Sequence, residues 1–310
     1  MEILDANATA ERLPYPALAD SIREVALAMN SGGMQAPSRF ALPLQEGGIL
    51  LVMPGSDRDI AITKLITVHP ENPERGLLTI QGEVVVMDAT TGERLGLLEG
   101  GVVTARRTAA LSMLAARELA PRPDGPLLIV GAGTQGRAHL EAFHAGLGVS
   151  RAFITSRSAK NAISLAGHAR GLGMEAEEVE GPEEVLDEVS LIVTATTSRE
   201  PVLPEEIPWG VFVAAVGSFE PEAAELPPGL VSASRVFVDT LEGARDEAGD
   251  LIQAEQSGAF GWEDARSLEE ALCVPDRPDG TVVFESVGHA LWDLAAARTA
   301  FADRAGSDSP

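Results

Sequence analysis

The stretch LLIVGAGTQGRAHLEAF, Leu127 to Phe143, sets four apolar residues before Gly131, Gly133 and Gly136 and follows them with a helical pattern. Read in order, it is a buried strand, a G-x-G-x-x-G turn and the first turns of a helix. Gly131 allows the tight exit from the strand, Gly133 removes the Cβ that would keep the backbone off a pyrophosphate, and Gly136 lets the helix pack closely on the sheet. The helix N-terminus then offers free N–H groups and a partial positive charge to phosphates. A chain with 31 glycines produces such spacings by chance. The apolar strand before the turn, the helix after it and a second strand at Ala152 to Thr155 supply a βαβ context that chance does not. The turn is therefore read as a dinucleotide site, with Gly131, Ala132, Gly133, Thr134, Gln135 and Gly136 as cofactor-binding residues.

The second strand ends in Thr155-Ser156-Arg157-Ser158. About twenty residues past the glycines, an NAD site places an Asp or Glu on the ribose 2′-hydroxyl. This chain has no carboxylate there. The hydroxyl of Ser156 and the planar donor fork of Arg157 suit a 2′-phosphate instead, so the expected cofactor is NADPH, with NADH possible.

Outward from the turn, composition narrows the classes of function. The 310 residues exceed one average domain. Lys and Arg total 23 against 47 Asp and Glu, a net charge of −24. So acidic a surface repels phosphate backbones and anionic lipid, which argues against nucleic-acid and membrane partners. The single cysteine, Cys273, excludes an internal disulfide and suits a reducing compartment; its simplest reading is a small buried hydrophobe. No signal-like segment and no run of membrane-spanning length is present, and a cytoplasmic location is expected. The tail AGSDSP reads as a frayed end. Five histidines without ligand-spaced pairing give no metal site.

Helical spacing of Leu18, Ile22, Val25, Ala26 and Met29 predicts a helix over 15–30. Arg39 to Leu98 breaks into short alternating runs, with TTGER as a hairpin turn, and predicts an antiparallel sheet. Thr104 to Leu119 is an alanine-rich helix, ended by PRPDGP. From Leu127 to about Ala271, strands at 127–130, 152–155, 190–194, 211–216 and 235–239 alternate with helices at 135–146 and 159–171. That pattern predicts an α/β fold with a Rossmann-type, doubly wound parallel sheet. VVFESVGHALWDLAAARTAF, near the end, reads as a return to helical periodicity. The expected organisation is a dinucleotide-binding domain over 121–279 and a discontinuous α+β substrate-binding and dimerisation domain over 1–120, completed by 280–310.

Several segments now line up: TKLITVHPENPERGL, TARRTAALSMLAAREL, VGAGTQGRAHLEAF, VTATTS, AAVGSF, FVDTLEGARDEAGDL and SVGHALWDLAAA. Together, across nearly the whole chain, they resemble the ornithine cyclodeaminase and mu-crystallin family, and most of all its bacterial ketimine reductases. The resemblance implies reduction of cyclic imino acids, Δ1-pyrroline-2-carboxylate to L-proline and Δ1-piperideine-2-carboxylate to L-pipecolate, by a homodimer joined through the non-Rossmann lobe. It implies a catalytic and substrate site of Arg39, Lys64 and Arg107 facing the nicotinamide, closed by Ser286, Val287 and Gly288. On the cofactor side it adds Thr108, Thr196, Val216 and Gly217. Other activities within the resemblance are ornithine cyclodeamination, alanine dehydrogenation and non-catalytic NADPH or ligand binding.

The residues bear on these roles independently. The chain holds only two lysines, Lys64 and Lys160, so it otherwise uses arginine for positive charge. In alternation Lys64 shares a face with Ile60, Ile62, Ile66 and Val68. It either snorkels at a strand end or sits in a pocket where desolvation lowers its pKa. Arg106 and Arg107 face different directions on their helix, and the resemblance gives Arg107 to the substrate carboxylate; without it, Arg39 reads as a strand-edge charge. In the cyclodeaminases a V-G-G-D run carries an aspartate where this chain has Val216-Gly217-Ser218-Phe219. Phe219 cannot exchange a proton and would instead wall an apolar ring, which favours the reductase over the lyase. Asp239, Glu242, Asp246, Glu247 and Asp250 read as an acidic solvated face.

Overall fold

The computed structural model describes residues 1–273 and 277–302; AGSDSP and part of the PDRPDG break lie outside the described residues. The chain divides into two compact units, Met1–Arg107 with the segment from His289 onward, and Thr108–Gly288. The division falls inside the helix Gly100–Leu119, which begins four residues before the alanine-rich stretch.

In the first unit, β1 (Glu2–Ile3), β2 (Phe40–Pro43), β3 (Ile49–Ser56), β4 (Ile60–Val68), β5 (Ile80–Asp88) and β6 (Arg94–Glu99) form one sheet in the order β1-β6-β5-β4-β3-β2. The pairings from β2 to β6 are antiparallel, as the alternating runs require. The hairpin after β5 turns at Asp88, whose carboxylate accepts from the N–H groups of Thr90 and Thr91, while Gly92 takes φ 73°. On β4, Ile60, Ile62, Lys64, Ile66 and Val68 are all buried. The helices Tyr15–Ala28 and Ala290–Ala300 pack on one another, and the latter covers β3 and β4. Ala290–Ala300 is apolar nearly all round, as a helix in the middle of a core must be. Its lone acid, Asp293, is fully buried.

In the second unit, β7 (Leu127–Val130), β8 (Arg151–Thr155), β9 (Glu175–Glu178), β10 (Leu191–Thr194), β11 (Phe212–Ala215), β12 (Arg235–Val238), β13 (Arg266–Ser267) and β14 (Val282–Glu285) lie in the order β13-β12-β14-β11-β10-β7-β8-β9. Every pairing is parallel. Strand order reverses between β7 and β10, and ligands of such sheets bind outside the carboxyl ends of the strands at that switch point.

Three expectations need correction, and one strand was not foreseen. Val282–Glu285 is not helical: it pairs with both β11 and β12, and four buried apolar or neutralised positions in a row fit a strand covered on both faces. Helical periodicity resumes only at Ala290. The strand Glu175–Glu178 escaped notice because an edge strand tolerates a nearly all-acidic sequence. Cys273 is exposed, not a buried hydrophobe. Asp239 and Asp250 are buried, at 2% and 1% exposure, and do not belong to a solvated face.

Candidate active site

The glycine turn has the geometry that its spacing implies. Gly131 adopts φ 109°, and a Cβ there would strike the Ala195 carbonyl. Its N–H donates to Thr155 at 2.9 Å, which ties the exits of β7 and β8 together. A Cβ at Gly136 would fall on the Gly131 carbonyl, so the helix Thr134–Leu147 rests directly on the turn. Gly133, by contrast, is exposed, with no atom near the place a Cβ would take. Close packing at two glycines and open space at the third is the arrangement needed to admit a pyrophosphate. Ala132 and Gln135 are half-buried and Thr134 is exposed beside it. At the end of β8, Ser156 is half-buried and Arg157 exposed. Arg157 makes no hydrogen bond or ion pair among the described residues. These residues fit a dinucleotide, and an arginine without a carboxylate partner fits a 2′-phosphate.

In the first unit a second constellation forms around Asp293. Lys64 Nζ lies 2.7 Å from Asp293 Oδ2, and Arg107 Nε lies 3.3 Å from Oδ1. Lys64 is 1% exposed and Arg107 5%. Burial pulls the Lys64 pKa down from 10.5 to about 8; Asp293 opposes the fall, while Arg107 and Arg39 add to it. Arg39, Lys64 and Arg107 are thus within electrostatic reach of one another. Arg107 and Arg39 both bear on Lys64, and clustered cations of this kind attract a small anion. Of the two readings of Lys64, the strand-end one is ruled out by its burial. Arg106 points elsewhere: it donates to the Leu13 carbonyl at 2.7 Å and stacks 3.9 Å over the ring of Tyr15.

The remaining residues lie in the second unit. Thr196 follows β10, while Val216 and Gly217 follow β11, all at carboxyl ends; Thr108 is 5% exposed on its helix. Phe219 is 41% exposed. Ser286, Val287 and Gly288 follow β14 and are held by Asp239. Its Oδ2 accepts from Ser286 Oγ at 3.0 Å and from the Gly288 N–H at 2.8 Å, and Gly288 takes φ 86°.

A model of the ornithine cyclodeaminase/mu-crystallin family matches residues 2–308. The chain is 40% identical over 298 residues to the Δ(1)-pyrroline-2-carboxylate/Δ(1)-piperideine-2-carboxylate reductase of Azospirillum brasilense, covering 96% of this chain and 94% of that one. The chain belongs to the ornithine cyclodeaminase/mu-crystallin family. Among solved structures it resembles Thermococcus litoralis Δ(1)-pyrroline-2-carboxylate reductase in complex with NADH and L-proline, with a TM-score of 0.92, 29% identity, and 98% and 97% of the two chains covered. It also resembles an archaeal alanine dehydrogenase dimer with bound NAD, with a TM-score of 0.87, 25% identity, and 98% and 95% covered.

Within this member of the family, sequence reasoning missed three buried acids, one in the first unit and two in the second. Asp293 carries the same signal as Lys64, a lone charge in an apolar run, and the two signals answer each other. Asp239 closes the apolar strand RVFV, a position from which its carboxylate reaches the exit of the neighbouring β14. Glu225, in AAEL, is fully buried.

Proposed function

We propose that this chain is an NADPH-dependent reductase of cyclic ketimines, converting Δ1-pyrroline-2-carboxylate to L-proline and Δ1-piperideine-2-carboxylate to L-pipecolate. The observation that carries the reading is the buried lysine at about 8, set between Asp293 and two arginines. A cyclic imino acid presents a carboxylate and a basic C=N nitrogen. Arg39 and Arg107 hold the carboxylate; the Asp293 contact uses only Nε of Arg107, one of the donors on a five-donor fork. Lys64, which exchanges its proton near neutrality, hydrogen-bonds the imine nitrogen and gives it a proton. The bound nicotinamide supplies the hydride to the imine carbon. One hydride and one proton convert C=N to CH–NH, with nothing left over. Phe219 and the Ser286–Val287–Gly288 segment are assigned to the substrate side. Thr108, Thr196, Val216, Gly217 and the glycine turn are assigned to the cofactor, and Ser156 and Arg157 to its 2′-phosphate. The reductases among the relatives support the substrate class; the NADH in the Thermococcus litoralis complex supports a nicotinamide cofactor and leaves the phosphate preference to Arg157.

The functional unit is proposed to be a homodimer joined through the first unit's sheet. Phe40 pairs with Val52 and Val52 with Leu65, so all three share the face opposite Lys64. On that face Phe40, Leu42 and Leu65 are 59%, 44% and 46% exposed. An apolar sheet face of this kind suits self-association.

The test compares six reactions: each of the two cyclic imines with NADPH and with NADH, ornithine with NAD, and pyruvate with ammonia and NADPH. The expected result is stoichiometric NADPH oxidation with formation of L-proline or L-pipecolate, and no ammonia from ornithine. Ammonia release would make the chain a lyase, and binding of NADPH without turnover would make it a binding protein. Turnover only with pyruvate and ammonia would make it an alanine dehydrogenase.

A further inference from the structure

A buried carboxylate that the chemistry above does not use gathers three hydrogen-bond donors. Oε1 of Glu225 accepts from the Thr196 N–H at 2.6 Å. Oε2 accepts from the Gly217 N–H at 2.8 Å and from the Thr194 hydroxyl at 2.9 Å. Thr194 and Thr196 stand at the exit of β10, and Gly217 at the exit of β11, its parallel neighbour. One side chain therefore staples the two strand exits next to the switch point. Gly217 shows how closely: a Cβ there would collide with the Thr196 carbonyl and with the Glu225 carboxyl group. The staple is itself anchored, because the N–H groups of Glu225 and Leu226 donate to Asp250 Oδ1 at 2.6 and 2.5 Å.

Burial without a cation is costly for a carboxylate, and among the described residues no Lys or Arg pairs with Glu225. A neutral amide could tie two strands together. Two of the three donors are backbone N–H groups, which cannot accept, and they favour the carboxylate form against the burial that raises its pKa.

We propose that Glu225 is a positioning residue of the cofactor site, holding the Thr194–Thr196 and Val216–Gly217 exits at one separation so that the cofactor binds tightly and in a single orientation. The inference rests on the reading of the chain as a nicotinamide-dependent reductase. Glu225 touches no reacting atom; it acts through the two loops.

The test uses the full chain as wild type, Glu225→Gln and Thr194→Val, with NADPH Kd from fluorescence titration and KM for NADPH and for Δ1-pyrroline-2-carboxylate measured separately. Glutamine keeps the size but turns an NH2 toward fixed donors. It should raise Kd and KM for NADPH by about 10- to 100-fold while leaving the imine KM near the wild-type value. Thr194→Val, which removes one hydroxyl donor, should move the same two constants by about 2- to 10-fold. A purely structural role would lower the melting temperature and leave the NADPH Kd of the folded protein unchanged, and that result overturns the proposal. Should Glu225→Gln not fold, the split between NADPH and imine constants in Thr194→Val decides by the same criterion. A wild type that neither binds NADPH nor reduces the imine sinks the reductase reading together with this one. A wild type that does both, beside variants that bind NADPH equally well, sinks only the role of Glu225.

Discussion

Lys64 and Asp293 are each a lone charge in an apolar run, and each is tolerable only because the other is there. On the proposed mechanism, the pairing makes the protonation state of Lys64 the variable that controls turnover. Lys64 is charged below about pH 8 and neutral above it. Proton delivery to the imine should therefore fail as pH rises through that value, giving kcat/KM a falling alkaline limb. Asp293 holds the lysine pKa up, so Asp293→Asn should move the limb to lower pH; a limb that stays put would trace it to the substrate instead. Lys64→Ala should cut kcat by roughly 10² to 10⁴ with NADPH binding nearly intact. Asp293→Asn also strands two buried cations, and loss of about 3–5 kcal/mol in denaturant unfolding is expected. At the cofactor end, Arg157→Asp should turn preference from NADPH toward NADH, read as the ratio of kcat/KM for the two. A wild type that already uses NADH equally well would remove the 2′-phosphate role from Ser156 and Arg157.

At the scale of elements, the strand–turn–helix around Gly131 is stiff where it packs and open where a ligand approaches. Gly136→Ala puts a methyl group onto the Gly131 carbonyl. Backbone cannot yield there as a flexible side chain would, and about 1–3 kcal/mol of destabilisation follows from overpacking, together with weaker NADPH binding in the same titration. Gly133→Ala has free space around it, so it should fold as well as the wild type and lose cofactor affinity alone. Equal melting temperatures for the two variants would contradict this division of labour. The first part of this unit was legible because each element carried its own period: strand 127–130 and helix 159–171 appear where the apolar pattern put them. Val282–Glu285 was not legible, because four apolar or acidic residues ahead of a helical stretch have no period of their own and acquire one only by pairing with β11 and β12.

For the molecule as a whole, two properties follow from what each unit buries and what it leaves bare. The second unit buries Glu225, Asp239, Asp250 and Glu285 close together. Burial, then repulsion from Glu225, raises the Asp250 pKa from 3.8 to about 7, and burial with the repulsion of Asp250, Glu225 and Asp239 lifts Glu285 well above the usual carboxyl range. Glu285 is thereby biased toward its protonated form. A group with a raised folded pKa contributes its full stability below the unfolded value and loses it as pH climbs through the folded one. Wild-type melting temperature should thus fall relative to Asp250→Asn, which cannot ionise, as pH rises from 3.8 toward 7; parallel curves would show that Asp250 is ionised throughout. In the first unit the bare apolar face predicts a dimer, and Phe40→Glu with Leu65→Glu should yield monomers in sedimentation without loss of the fold. The dinucleotide fold, the positions of most of its strands and the candidacy of Lys64 were readable along the chain, because they rest on periodicity, on glycine spacing and on a charge out of place among its neighbours. Local order cannot reveal which buried charges meet. Asp293 reaches Lys64 across more than two hundred residues, Asp239 reaches Ser286 and Gly288, and Glu225 staples the loops after β10 and β11. Desolvation and pairing of charges are properties of a packed interior, and they came into being only when the chain had folded around them.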